Sequence, residues 1–493
     1  MQSSGPDRQT GRDAWRFRCL VGLCVMLVFG SLLVAARQAL LGDPDIWWHI
    51  RTGQWMWQHG SWPVADPFSH SFAGQPWIAK EWLSQLLFAA AFGAAGWNGV
   101  MLLSVAALAL AAGVIYGSVS AQLNPLYAAM ATFVALGLAC SAFTARPHLL
   151  SIVLVVLWTH LLFSASWQGR APRLWWLLII LTWANLHAAF TLGFVIAGFA
   201  FLDAIERGRL ARKDILAKWL VFLVLCPVVS MIHPYGWRAI WATWTLAGGN
   251  EAVPLISEWQ PFNAQVDVVQ DFGLLALVLA ALLSGLRLGW ARALLIVLLL
   301  HMFFIHVRFA YLAFPLLPVI VAPEVARQFP RISFATWSTQ PRDGVEAGAA
   351  RAFGAVAGVL LAALAGLGLA QLLVLPTAPP ERVAATGAIA FARANGLTGN
   401  VFNNYDFGGP LVFNGIPDFI DGRTDQLFLG GFTTRFMSGP DTVEALAEAL
   451  RTYRIDWTLL PPGDVRNALL ARMPGWTKAY ADPYAVIYRR SGQ

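Results

Sequence analysis

Residues 42–82 read GDPDIWWHIRTGQWMWQHGSWPVADPFSHSFAGQPWIAKEW and form the most informative stretch of this chain. Asp43 and Asp45 flank a proline directly after the first long apolar run, and an aromatic-rich segment follows them. Acidic residues at the end of a membrane helix usually have a function, because a charge placed near hydrocarbon is costly. The stretch therefore predicts a polar site at the mouth of a helical membrane domain.

The composition is that of a polytopic membrane protein. The chain has 493 residues, of which 57% are hydrophobic and 12% are charged, and its mean hydropathy is +0.58. Many of the 23 tryptophans lie at the ends of apolar runs, where indole rings favour the headgroup boundary. The net charge of +7 comes from Arg and Lys in short loops, which indicates a topology signal and no nucleic-acid partner.

The apolar runs predict a mainly α-helical transmembrane bundle of about eleven spans, since a spanning helix needs about 20 apolar residues. The predicted spans are 17–41, 98–120, 124–143, 148–167, 173–187, 189–206, 216–233, 270–286, 290–306, 309–323 and 353–376. The run 82–95 covers only about 21 Å at ~1.5 Å per residue, short of the ~30 Å hydrocarbon core. We therefore expect 82–95 to be an interfacial or re-entrant helix.

The loops support this topology. If 82–95 does not cross, the basic loops all fall on one side, as the positive-inside rule requires. The N-terminus is then cytoplasmic, and the first external loop spans 42–97. The domain prediction is a transmembrane domain over 1–376, including a basic cytoplasmic linker at 324–350, followed by a small external α/β domain over 377–493.

Short patterns in the C-terminal region predict its strands and helices. VFNN, PLVF, DFID, WTLL and AVIYR resemble short strands. Asp441 to Glu444 has the pattern of a capping box that opens a helix at 442–453. Acids and a base alternate in PDFIDGRTD at 417–425, which favours an internal salt-bridged turn over a carbohydrate contact.

Asp43 and Asp45 are the first candidate site residues. In an extended segment their i, i+2 spacing points both carboxylates the same way. The pair can act as a general base on an acceptor hydroxyl or bind a divalent cation such as Mg or Mn. The structural alternative is that Asp45 only caps the helix 46–59, which is amphipathic and is expected to lie in the membrane interface.

The predicted topology brings further unusual polar residues to the same external face. They are His49, Lys80, Glu81, Arg146, His148, Asn185, His187, His233, Glu258, His306 and Arg308. Lys80 at a helix start, and the pairs Arg146 with His148 and His306 with Arg308, are candidates for phosphate binding. The alternative for the arginines is snorkelling to the interface, and for the histidines a satisfied polar contact.

At these residues the chain resembles the GT-C class of membrane glycosyltransferases, such as the protein O-mannosyltransferases and the lipid A aminoarabinose transferases. That class keeps its catalytic acids in the first external loop, where Asp43 and Asp45 stand. The segment from Gly74 through Lys80-Glu81-Trp82 resembles the class's Lys-Pro-Pro turn before an interfacial helix, with Glu81-Trp82 in place of the prolines. The chain is also similar to bacterial multi-pass proteins with a D-x-D-x-WWH opening and a DGR-containing tail.

The resemblance implies a bacterial inner-membrane enzyme that moves a sugar from a polyprenyl-phosphate donor to a lipid, glycan or protein acceptor outside the membrane. Asp43 or Asp45 would be the base, and Arg and His side chains would hold the departing lipid phosphate. One alternative is a ligase or polymerase of lipid-linked glycans centred on the loop 233–269. A transporter or scaffold is less favoured, because transporters usually show paired repeats and charges near mid-bilayer.

Overall fold

The computed structural model describes residues 8–247, 253–339 and 377–491, with a few isolated positions between 363 and 371. The predicted span 353–376 and the linker segment 340–350 lie mostly outside the described residues. Elsewhere the chain is mainly helical, with one small sheet near its C-terminus.

The membrane region consists of helices that match the apolar runs. They are α1 Arg8–Ala35, α2 Arg37–Leu40, α3 Asp45–His59, α4 Trp82–Ser120, α5 Pro125–Ala139, α6 Pro147–Gln168, α7 Leu177–Leu186, α8 Thr191–Glu206, α9 Lys213–Ser230, α10 Trp237–Ala247, α11 Val268–Ser284, α12 Trp290–Ile305, α13 Ala310–Gln328 and α14 Phe334–Thr339. Each of the first ten predicted spans corresponds to one of these helices, although α9 and α11–α13 shift by a few residues. The region predicted as an irregular linker from 324 is helical through Gln328 and again at α14.

Six described segments are long and apolar enough to cross a membrane. They are Ala14–Ala35, Trp82–Ser120, Pro125–Ala142, Pro147–Gln168, Ala188–Glu206 and Val307–Gln328. Three shorter apolar helices, Leu174–Leu186, Val268–Ser284 and Trp290–Ile305, accompany them. The apolar side chains of α1, α4, α6, α8 and α13 form one continuous core.

The long helix α4 is broken near its middle. Ala95 and Gly96 have non-helical backbone angles, and Gly96 has a φ of 58°, which favours glycine. A Cβ at Gly99 would overlap the carbonyl of Ala91, although eight residues of straight helix span about 12 Å. The chain therefore folds back sharply, and the predicted helix end near residue 95 is confirmed; its lack of a membrane crossing stays a prediction.

The end of the bundle away from Asp43 has its own buried ion pairs. Arg292 at the start of α12 donates to Asp203 of α8 at 2.9 Å, and both side chains are fully buried. Arg207 reaches Glu324 of α13 at 2.6 Å. These pairs join helix ends, so the basic residues here contribute to packing as well as to the predicted topology.

The helix α3 is packed inside the protein. Trp47 and Trp48 are each only 7% exposed, and α3 lies against α4 and the C-terminal region. Of the tryptophans expected to lie in the interface, Trp57 is the one that is mostly exposed. Trp47 and Trp48 therefore contact protein and do not anchor the helix in lipid, while the position of the helix in the membrane interface stays a prediction.

The described C-terminal region is an α/β unit. It contains α15 Glu381–Ala384, α16 Thr386–Ala394, α17 Tyr405–Phe413, α18 Phe432–Ser438, α19 Val443–Thr452 and α20 Val465–Leu470. The strands are β1 Asn400–Asn403, β2 Ile455–Leu460, β3 Trp476–Ala481 and β4 Val486–Arg490, in the order β1-β2-β4-β3. Only the β1–β2 pair is parallel.

Four details of this region differ from the prediction. PLVF lies in α17, whose N-cap Asn404 accepts a hydrogen bond from Asp406, and DFID is not a strand. Short apolar runs do not distinguish a buried helix turn from a strand. The cap of α19 is Thr442 and not Asp441, and the edge strand β3 was not predicted because its side chains are largely exposed.

We expect Gly53→Ala to destabilise the protein by about 1–3 kcal/mol, the usual range for overpacking. A Cβ at Gly53 of α3 would lie closer than 3.0 Å to the backbone of Gln85 in α4, which has no room to retreat. Gly93→Ala is the matched control, since Gly93 lies in α4 with nothing within 4 Å. Thermal unfolding in detergent should show a lowered midpoint for the first variant alone.

Candidate active site

The aspartate segment, Asp43-Pro44-Asp45, lies between the end of α2 and the first turn of α3. The Asp45 N–H donates to Asp43 Oδ1 at 2.9 Å, and the Thr144 hydroxyl donates to Asp43 Oδ2 at 3.2 Å. Asp45 is the first residue of α3, whose N-cap is Pro44, and the Asp43 carboxylate accepts from the first N–H of that helix. The expectation that Asp45 caps the helix is therefore wrong, and its carboxylate is directed elsewhere.

Arg146 joins three carboxylates. It precedes Pro147, which begins α6, and its extended backbone directs the side chain toward the aspartates. Its guanidinium contacts Asp43 at 3.2 Å, Asp45 at 2.5 Å and Glu258 at 2.8 Å. A guanidinium carries five donors in a planar fork, which suits several carboxylates at once.

Glu258 also binds the second arginine expected at the bundle mouth. Its Oε1 accepts from Arg308 at 2.8 Å, while Oε2 accepts from Arg146. The Arg308 guanidinium lies 4.2 Å from the ring centre of Trp259. The two arginines therefore meet on one carboxylate, on the same side as Asp43.

This cluster has more acid than base. Three carboxylates face two guanidinium groups, so one negative charge is in excess within a buried site. Burial raises the pKa of Asp45 to about 7, and the charges of Asp43 and Glu258 add to this although Arg146 opposes it. Burial also acts on Glu258, but Arg146 and Arg308 outweigh it and lower its pKa to about 2. Asp45 is thus the carboxylate that exchanges a proton near neutral pH.

The aspartate pair does not fit a divalent cation in this arrangement. The Arg146 guanidinium lies between the two carboxylates, where a shared cation would have to bind. Mg and Ca need about six oxygen ligands, and no group of three His, Cys, Asp or Glu side chains suited to a metal occurs among residues 8–247, 253–339 and 377–491.

Lys80 and Glu81 lie at the start of α4 but have different partners. Lys80 forms an ion pair with Asp425 of the C-terminal region. Glu81 lies 3.5 Å from His187 and 4.0 Å from His49, and burial raises its pKa. Burial and nearby Arg146 lower the pKa of His49, which keeps that ring neutral. These groups form a second polar cluster next to the first.

Four of the remaining candidates satisfy nearby carbonyl groups. His148 bonds to Ala142 at 2.8 Å, His233 to Lys80 at 3.1 Å and His306 to Trp259 at 2.6 Å, each through a ring nitrogen and a backbone oxygen. The amide of Asn185 donates to the Ile232 carbonyl and accepts from the Trp82 indole. These contacts fit the structural alternative for each residue and leave a direct role in chemistry as a prediction.

Two adjoining cavities meet at the arginine cluster. Arg146, Glu258, Arg308, Tyr311 and Tyr405 contribute to the walls of both cavities. The larger, about 500 Å³, has many apolar side chains in its wall together with Lys80, Glu81, His49, His187 and His306. The smaller, about 430 Å³, is lined by Asp43, Asp45 and His148 and by Arg382 and Asp406 of the C-terminal region. We name them the apolar cavity and the polar cavity.

The C-terminal region contributes to both cavities. Arg423 is fully buried and binds Asp421 at 2.8 Å, but it also pairs with Asp66 of the first loop. Asp425 forms an ion pair with Lys80, and Tyr405 lies beside Asp45. The predicted salt-bridged turn in PDFIDGRTD is present, since Arg423 pairs with Asp418 and Asp421, but the turn also binds the first loop, which was not predicted.

These C-terminal groups were missed as site residues. Asp425 and Arg423 have their partners 345 and 357 positions away in the sequence, so no local pattern reports them. The available signal was the joint occurrence of the D-x-D opening and the DGR tail, two motifs that the fold brings into contact.

Comparison with solved structures addresses the fold. The archaeal oligosaccharyltransferase AglB from Archaeoglobus fulgidus, solved in complex with an inhibitory peptide and a dolichol-phosphate, matches 95% of this chain and 74% of its own, with a TM-score of 0.51 and 12% identity. ArnT from Cupriavidus metallidurans, bound to undecaprenyl phosphate, matches 94% of this chain and 97% of its own, with a TM-score of 0.49 and 13% identity.

No family model matches the chain, and no curated protein matches its sequence. At these low identities the comparison informs on architecture, and the AglB likeness, which covers nearly the whole chain, supports it. The chain therefore has the fold expected from its resemblance to the GT-C class.

Proposed function

We propose that the chain is a membrane glycosyltransferase that moves a sugar from a polyprenyl-phosphate donor to an acceptor hydroxyl, with Asp45 as the base. One observation carries the proposal. A buried carboxylate with a pKa near neutrality lines the polar cavity and pairs with Arg146, which lies in the wall of both cavities and shares Glu258 with Arg308. The GT-C fold is compatible with this chemistry but does not by itself establish it.

The apolar cavity suits the donor. Trp48, Leu192, Ile305 and Phe309 offer apolar surface for the first units of a lipid tail. Arg308 lies in the same wall, and guanidinium groups bind phosphate oxygens with two parallel hydrogen bonds. In this scheme the phosphate competes with Glu258 for the arginines, which then stabilise the charge that develops on the leaving group.

The polar cavity suits the acceptor. Asp45 takes the proton of the acceptor hydroxyl while its oxygen bonds to the anomeric carbon of the sugar. The bond from that carbon to the phosphate oxygen breaks, its electron pair stays on that oxygen, and the polyprenyl phosphate leaves. Attack from the face opposite to the phosphate inverts the configuration. Asp43 accepts three hydrogen bonds, from Asp45, Thr144 and Arg146, and so holds the segment in place.

The ligase alternative has less support. It centres on His233 and Glu258, but His233 bonds to a backbone carbonyl behind the apolar cavity and is not among its lining residues. The Glu258 carboxylate forms ion pairs with both Arg146 and Arg308. The same arginines serve both hypotheses, so the choice of base distinguishes them.

Binding of undecaprenyl phosphate to the purified protein tests the donor site. We expect Arg308→Gln to weaken binding by about tenfold or more, the effect of losing one charge-assisted contact of ~1.4 kcal/mol. Arg212→Gln is the control, because Arg212 is exposed and its ion pair within the described residues is with nearby Asp214. Native mass spectrometry in detergent reports both variants. Equal binding by wild type and Arg308→Gln would contradict the donor assignment.

A further inference from the structure

We propose that the C-terminal region completes the catalytic site, with Gly422 and Tyr405 as positioning residues that hold the Asp45 carboxylate against Arg146. This inference rests on the proposed function, since it gives the two residues a role toward Asp45 as the base. It assigns the DGR tail an active part in catalysis, beyond a structural or sugar-contacting turn.

The first observation is the close approach of Gly422 to Asp45. A Cβ at Gly422 would lie closer than 3.0 Å to both carboxylate oxygens and to the carbon between them. The φ of Gly422 is not in the left-handed region, so the backbone there does not require glycine. Space for the Asp45 carboxylate is what excludes a larger residue at this position.

A second glycine makes an equivalent contact from another element. Gly409 lies in α17, and a Cβ there would lie closer than 3.0 Å to the carbonyl oxygen of Pro44. Two separate elements of the C-terminal region therefore pack closely against the Asp43-Pro44-Asp45 segment, and each does so at a glycine. The contact surface is specific to that segment, because each glycine meets one of its polar atoms.

The loop that carries Gly422 is held on both sides by the first loop, since the Ser71 hydroxyl donates to the Phe419 carbonyl before the glycine at 2.6 Å and two ion pairs follow the glycine. Arg423 next to it pairs with Asp66, and Asp425 pairs with Lys80. Both partners belong to the first loop, so the glycine between Asp421 and Arg423 has little freedom to withdraw from Asp45. A loop held by contacts before and after a glycine can define the position of that glycine.

Tyr405 is a second C-terminal residue next to the Asp45 carboxylate. It lies at the start of α17 and lines both cavities. Burial and the nearby Asp45 charge raise the pKa of its phenol, which keeps the hydroxyl protonated as a neutral neighbour. Beside Gly422 and Tyr405, Asp45 is only 5% exposed, and it lines the polar cavity proposed for the acceptor.

The test combines transfer kinetics with accessibility. In vesicles supplied with a polyprenyl-phosphate sugar pool, we expect Gly422→Ala to lower kcat by roughly tenfold or more with little change in KM, because the base is displaced and not the substrate. Gly463→Ala is the matched control, since Gly463 belongs to the same region and has nothing within 4 Å. It should behave like wild type.

The second readout needs no activity. The thiol introduced by Asp45→Cys, with the four natural cysteines replaced by serine, should react slowly with a charged thiol reagent. Adding Gly422→Ala should raise that rate by roughly tenfold, because the covering loop is pushed away. If Gly422→Ala lowers expression or the unfolding temperature, Gly409→Ala takes its place, since alanine suits a helix.

The outcomes separate the two ideas. If Asp45→Asn abolishes transfer while Gly422→Ala and Gly409→Ala both match wild type and leave the introduced thiol protected, the positioning inference is overturned and the proposed function stands. If Asp45→Asn retains transfer, the proposed function fails, and the inference that depends on it is overturned whatever the labelling rate. Loss of transfer by Gly422→Ala or Gly409→Ala, together with faster labelling of the introduced thiol, supports the positioning inference.

Discussion

Asp45→Asn is expected to lower sugar transfer by about 10²–10⁴-fold, the usual contribution of a general base. Asparagine keeps the size of the side chain, but its amide cannot take a proton from the acceptor hydroxyl. Asp45 is favoured over Asp43 because its pKa, raised to about 7 by burial, matches a base working near neutral pH. Asp43 is already bound by three donors.

The same assignment fixes the direction of the pH dependence. A base must be unprotonated, so kcat/KM of the wild type should rise with pH up to about 7 and then level off. At pH 6, one unit below that pKa, about one tenth of the molecules carry the charged carboxylate. The residual rate of Asp45→Asn should lack this rise between about pH 5.5 and 8.

Asp43→Asn is the matched comparison, since it removes a charge from the same segment. We expect a smaller loss, about tenfold, because Asp43 positions Arg146 and the start of α3 and does not accept the proton. Thermal unfolding of both variants checks that the fold is kept. Near-normal transfer by both variants would remove Asp45 from the mechanism and favour the ligase alternative.

Local signals in the sequence predicted most of the helical framework. Ten apolar runs became helices because long runs leave few other ways to satisfy the backbone in lipid. The short run 82–95 predicted where α4 breaks, and the polar helix ends predicted that Arg146, Glu258 and Arg308 share one face. Their roles in binding a donor stay predictions, but the fold brings them into contact.

Contacts distant in the sequence were not predictable from one chain. Lys80 has the pattern of a free cation at a helix start, yet Asp425 neutralises it from 345 positions away. Asp66 has the pattern of a loop acid, yet it binds Arg423. Trp47 and Trp48 resembled membrane anchors because nothing local indicates that α17 covers them. In each case tertiary packing, which periodicity does not report, decided the outcome.

Arg423→Met should destabilise the protein by about 3–5 kcal/mol, the usual effect of removing one partner of a buried charge cluster. Arg423 is fully buried with Asp66, Asp418 and Asp421, which are fully or almost fully buried. It contacts Asp421 at 2.8 Å and Asp418 at 3.7 Å and pairs with Asp66. Methionine has a similar length but leaves three acids without a cation between the first loop and the C-terminal region.

Arg435→Met is the control for this variant. Arg435 pairs with Glu448 at 3.9 Å, and both side chains are more than half exposed, so its loss should change stability by less than about 1 kcal/mol. Thermal unfolding followed by circular dichroism compares the two, and limited proteolysis shows whether the C-terminal region is released. Equal midpoints for both variants would show that the buried cluster does not join the two parts.

Lowering the pH should partly restore the stability of the Arg423→Met variant. The pH dependence therefore distinguishes a loss of charge pairing from a loss of packing. Burial raises the pKa of Asp418 and Asp421 even with Arg423 present, and neither oxygen of Asp418 accepts a hydrogen bond within the described residues. Without Arg423 these pKa values rise further above those of the unfolded chain. The folded state then binds more protons, so its stability increases as pH falls. We expect the gap between the variant and the wild type to narrow from about pH 7.5 to about pH 5.5, whereas a pure packing defect would keep the gap constant.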